Sequence, residues 1–119
     1  MDAAAVGSEG VMMHRANINK FMGMVLDELQ MAEGKHPKFC DEVIPPGFDF
    51  SEDEKRWKKC NDEATTNYAA YIFNEEFYEA LNAYQNGDKE HALQEFAQCG
   101  AVILRIMETI EKEMEQWNA

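Results

Sequence analysis

Residues 74–108, NEEFYEALNAYQNGDKEHALQEFAQCGAVILRIME, carry the punctuation that decides the fold. At the centre of this stretch, Gly87 suits the left-handed position that ends one helix, and Asp88 suits the N-cap that opens the next. Apolar residues recur at three- and four-residue steps on both sides, which predicts two helices joined by a tight turn. The helix after the turn, over about 89–117, is expected to bury Leu93, Phe96, Ala97, Gly100, Ile103, Leu104, Met107, Ile110 and Met114. Before the turn, helical signals reach back to about residue 52, where Ser51 and Glu54 have the spacing of a capping box. The weak helix formers Asn61, Thr65, Thr66 and Asn67 predict a bend or break near 61–67 in that long span.

Further toward the N-terminus, GKHPKFCDEVIPPGFDF (34–50) holds all three prolines and cannot continue a helix. It is expected to be a loop pinned to the core by Phe39, Val43, Ile44 and Phe48. Ile18, Phe21, Met22, Val25, Leu26 and Leu29 mark an amphipathic helix over about 11–33, preceded by a frayed segment over 1–10. No strand pattern or internal repeat competes. The expectation is an all-α bundle of about four helices built on a helical hairpin, forming a single domain over 1–119.

With 45% hydrophobic residues the chain has the apolar surface for a core, yet its 23 acidic residues against 11 basic ones leave a formal charge of -12. That charge repels phosphate backbones and anionic lipid, so neither a nucleic acid nor a membrane is an expected partner. An anionic small molecule would need a cation as mediator. Cys40, Cys60 and Cys99 fit neither a disulfide framework nor a C-x-x-C motif. With no signal segment or apolar run of membrane-spanning length, they point to reduced thiols in a cytoplasmic protein.

Distance from the turn shows which side chains can meet across an antiparallel hairpin. Glu79 lies eight residues before Gly87 and Glu95 eight after; Glu76 and Gln98 lie eleven residues away on either side. Two i, i+3 pairs therefore sit at matching heights and offer four oxygen-bearing side chains at one place. Glu76 also falls within an arc formed by Ala69, Ile72, Phe73, Ala80 and Ala83, where a carboxylate without a partner is costly. Carboxylates converging in low dielectric repel one another and raise their pKa values unless a divalent cation neutralises them, and Mg2+ is the simplest. The same E-x-x-E spacing also arises on solvated helix faces in acidic chains, and Glu95 and Gln98 lie away from the main apolar stripe. Val102 and Ile106 extend that side into a second face that a subunit contact would bury.

The 74–108 stretch resembles the core of the MazG-like all-α nucleoside triphosphate pyrophosphohydrolases, whose pattern is E-E-x-x-E, a turn, then E-x-x-D. Glu75, Glu76 and Glu79 match the first part, Gly87-Asp88 the turn and Glu95 the second part, while FMGMVLDELQMAEGKH (21–36) is faintly similar to the leading helix of small members. The resemblance covers roughly a third of the chain. It implies hydrolysis of a nucleoside triphosphate, in particular a deoxynucleoside triphosphate, to monophosphate and pyrophosphate. Glu76, Glu79, Glu95 and Gln98 would hold Mg2+, Glu75 would orient the attacking water, and Lys35 and His36 would approach the triphosphate.

Where the family has its final aspartate this chain has Gln98, whose amide oxygen ligates without charge, so weakened metal binding and turnover are expected. The alternative is a noncatalytic helical nucleotide-binding or assembly protein on the same scaffold. Because the hairpin exposes a second apolar face, a homodimer or homotetramer is expected for the hydrolase, with the nucleotide near the interface. Glu33-x-x-His36 resembles a di-iron fragment, but it is single and sits at a helix end.

Overall fold

In a computed structural model, which describes residues 13–118, the chain forms four helices: α1 (Arg15–Lys35), α2 (Ser51–Glu63), α3 (Ala69–Gln85) and α4 (Lys89–Asn118). No strand occurs among the described residues, so the protein is all-α. The segment expected to fray, 1–10, lies outside them, as do residues 11 and 12 of the first expected helix. The described residues sort into two compact units, one of residues 13–39 with 104–118 and the other of residues 40–103, and α4 runs through both.

In the 40–103 unit, α2 ends at Glu63 and α3 begins at Ala69, so the break falls where the weak helix formers lie. The start of α2 differs from the capping box. Asp49 Oδ1 accepts from the Ser51 backbone N–H at 2.9 Å and from Ser51 Oγ at 2.7 Å, and Phe50 occupies the cap position. Those two bonds hold the Asp49 carboxyl below its ordinary range, the backbone one most strongly. Glu54 is drawn instead to α3, where its Oε1 accepts from Asn82 Nδ2 at 2.9 Å. Stacked, tilted and edge-on ring pairs run in turn from Phe48 through Phe50 to Tyr78 and Phe77. Of the four expected loop anchors only Ile44 is buried; Phe39, Val43 and Phe48 are exposed.

The α3–α4 turn has the hydrogen bonds of a Schellman ending. Gly87 N–H donates to Tyr84 O at 3.0 Å and Asp88 N–H to Ala83 O at 2.9 Å, with Gly87 at φ +85°. Asp88 then opens α4, its Oδ1 accepting from His91 N–H at 3.1 Å and its carbonyl from Ala92 N–H at 2.9 Å.

The burial of α4 corrects the expected core. Within the 40–103 unit its buried residues are Ala92, Glu95 and Cys99, whereas Leu93, Ala97, Gly100 and Ile103 are exposed. At 100° per residue the buried line lies roughly a quarter turn from the centre of the apolar stripe. In the other unit Asn17 Nδ2 donates to Glu108 Oε2 at 3.1 Å, and Lys20 pairs with Glu111. There Phe21 is the one buried residue of α1, while Met22, Val25, Leu26 and Leu29 are exposed, and so are Ile110 and Met114 of α4. Their spacing identifies a helical apolar face, but among the described residues these side chains stay exposed.

Candidate metal centre

Three carboxylates converge between α3 and the first half of α4. Glu76, Glu79 and Glu95 each offer one oxygen, and those oxygens all lie within 4.8 Å of one another. Local sequence explains the meeting: Glu76 and Glu79 are one turn apart on the same side of α3, the small buried residues Ala80 and Ala83 keep that side slim, and the Gly87–Asp88 turn returns α4 at the matching height. Phe77 and Phe96, ring centroids 6.4 Å apart, close the same pair of helices from the side.

Electrostatics show how crowded the group is. Burial, then the neighbouring Glu95, pushes the Glu76 carboxyl up to about 7 and the Glu79 carboxyl up to about 8. Glu75 and, for Glu79, also Glu76 add smaller repulsions. Burial and the charges of Glu76 and Glu95 likewise raise the Cys99 thiol to about 11. Glu95 is only 7% exposed, and Oε2 of both Glu76 and Glu95 is buried with no hydrogen-bond partner. A buried oxygen without a donor is unfavourable, and this group holds two. A divalent ion with a preference for hard oxygen ligands would satisfy both, so the donor set fits Mg2+ or a similar cation.

The other expected site residues are placed differently. Glu75 is half-buried beside the group, its Oε1 accepting from Asn61 Nδ2 at 2.7 Å, and the same amide donates to Tyr71 O at 3.0 Å. Gln98 is exposed. Relative to Glu95, Cys99 falls about 40° to one side and Gln98 about 60° to the other. The buried line runs through Ala92 and Cys99, so α4 turns Gln98 out of the group. Lys35 and His36 are exposed at the end of α1, in the other unit.

Three residues join the site that spacing alone did not single out. Cys99 follows Glu95 by four residues and shares its buried side, a relation that is readable once the facing side of α4 is known. Asn61, read as a helix breaker, clamps α2 to α3 at Glu75. His91 precedes Glu95 by four residues and holds it, Nε2 lying 3.2 Å from Glu95 Oε1. His91 also lines a recess of about 210 Å³ with Glu54, Glu79, Asn82, Asn86 and Asp88. That recess shares Glu79 with the carboxylate group, and its acids favour a cation or a cation-bearing ligand over a bare phosphate.

No described helix is long and apolar enough to cross a membrane. Comparison with protein-family models, curated proteins and solved structures returns no match.

Proposed function

We propose that this chain is a magnesium-dependent nucleoside triphosphate pyrophosphohydrolase of the MazG-like kind, acting in a reducing cytoplasm on a nucleoside triphosphate, deoxynucleotides foremost. The observation that carries the reading is the triad of oxygens from Glu76, Glu79 and Glu95, two of the three residues having a buried oxygen without a partner. Such a group is costly in itself and becomes favourable when a cation shares it. When bound, the cation would supply charge neutralisation and polarisation of the triphosphate. The residues do the rest. Glu76, Glu79 and Glu95 hold and orient. Asn61 fixes one oxygen of Glu75, leaving the other to position a water and take its proton as the bond between α- and β-phosphates breaks. The products are a nucleoside monophosphate and pyrophosphate.

The working form in this reading is a homodimer or homotetramer with the nucleotide near the subunit contact. Lys35 and His36, both exposed, would face the triphosphate there. The exposed apolar side of α4 supports an assembly. One observation favours the second reading, a noncatalytic nucleotide-binding or assembly protein: Gln98, at the position where the family carries its last acid, is uncharged and turned outward.

Incubation with a panel of deoxynucleoside triphosphates and Mg2+, with pyrophosphate assayed, separates the two readings. The expected result is release that falls at least ~100-fold in Glu79→Ala, since that change removes a shared ligand. Release no greater than that of Glu79→Ala for every nucleotide rejects the hydrolase.

A further inference from the structure

His91 occupies a place that the proposed chemistry does not use. Its ring stands between two carboxylates, with Nε2 3.2 Å from Glu95 Oε1 and Nδ1 3.7 Å from Asp88 Oδ2. Asp88 is itself anchored, because its Oδ1 caps α4 through the His91 N–H and its own N–H is bonded to Ala83 O. The imidazole is thus within hydrogen-bond reach of one member of the carboxylate group through Nε2, while the backbone N–H of the same residue is bonded to the turn. The consequence lies in which oxygens of Glu95 remain free. Oε1 is taken by His91, whereas Oε2 is buried without any partner. A carboxylate that binds a cation has no proton to give, so in the loaded site Nε2 carries the hydrogen and Oε1 accepts it.

We propose that His91 is a positioning residue that makes Glu95 a one-oxygen ligand and thereby biases the site toward Mg2+ and Mn2+ and against Ca2+. The proposal rests on the metal-centre reading above and deepens it. Ca2+ takes six to eight oxygens and readily uses a carboxylate through both, whereas Mg2+ demands a compact octahedron of single oxygens. Withdrawing one oxygen of the most buried ligand therefore penalises Ca2+ selectively. Hydrogen bonds from groups behind a ligand also orient it, and their loss typically weakens metal binding about 10- to 100-fold.

The test titrates Mn2+ and Ca2+ separately into the full chain, stripped of metal beforehand, by calorimetry. The His91 side chain is half exposed, so its replacement leaves the helix pair intact. His91→Phe keeps the ring bulk without a donor; His91→Gln restores an N–H at the same reach. In His91→Phe, Mn2+ affinity is expected to fall about tenfold and the preference for Mn2+ over Ca2+ to narrow, with both recovering in His91→Gln. A preference unchanged in His91→Phe overturns the proposal, whether the two affinities hold or fall together. So does a narrowed preference that His91→Gln fails to restore. Failure of the unsubstituted chain to bind either ion is a different result, because it removes the metal centre itself.

Discussion

At the scale of single residues, the crowding of the carboxylate group ties folding stability to pH. Glu76 and Glu79 have folded-state values near 7 and 8, above the ordinary 4.5, with burial the leading cause. The folded chain therefore retains protons that the unfolded chain has released. The stabilisation they bring is complete below about pH 4.5 and is lost as pH rises through 7 and 8. In chelator, the melting temperature is expected to fall by several degrees between pH 6 and pH 9, and Mg2+ should flatten that decline by replacing the protons. Glu79→Gln removes one titrating charge and should reduce the slope in chelator while abolishing the rescue by Mg2+. A melting temperature that climbs over this range would mean that the three side chains are not crowded in solution.

At the scale of elements, the α3–α4 hairpin depends on one backbone angle. Gly87 sits at φ +85°, and a Cβ there meets nothing within 4 Å, so the penalty for a side chain is conformational rather than steric against neighbours. Gly87→Ala is expected to cost about 1–2 kcal/mol, which denaturant unfolding measures directly. Because the turn sets the relative height of Glu79 and Glu95, cation binding should weaken with it; a full-strength site in a destabilised hairpin would separate the two.

This hairpin was legible in the sequence because glycine followed by aspartate has few other uses between two periodic stretches. The α2–α3 break was legible for a similar local reason, the cluster from Asn61 to Asn67. The phase of α4 was not. Periodicity finds the greasiest side of a helix but does not say whether the chain itself covers it, and here Glu95 and Cys99 face inward while Leu93 and Ile103 face out. The same gap hid the outward turn of Gln98. The capping box failed for a different reason: Asp49 and Asn82 offered Ser51 and Glu54 other partners that spacing along one helix cannot reveal.

At the scale of the whole molecule, the question is what covers the apolar surface. Among the described residues no large side chain is fully buried, while Leu93, 72% exposed, and Ile103, 40% exposed, lie on the uncovered side of α4. Burying a leucine or isoleucine is worth about 1.5–3 kcal/mol each, so a stripe of them left in water is a strong inducement to association. A second copy would supply the matching stripe, since a two-fold contact presents the same patch from both sides. The formal charge of -12 opposes assembly over long range, and added salt screens it. Light scattering behind size exclusion is therefore expected to give a mass at least twice that of the 13.7 kDa chain, with tighter association at 0.5 M salt than at low salt. Leu93→Asp with Ile103→Asp places carboxylates in the middle of the contact, and the mass should drop to that of one chain while far-UV circular dichroism keeps its helical signal. A single-chain mass for the unsubstituted protein at every salt concentration would mean that these side chains are exposed for another purpose, and the subunit contact proposed beside the nucleotide would fall with it.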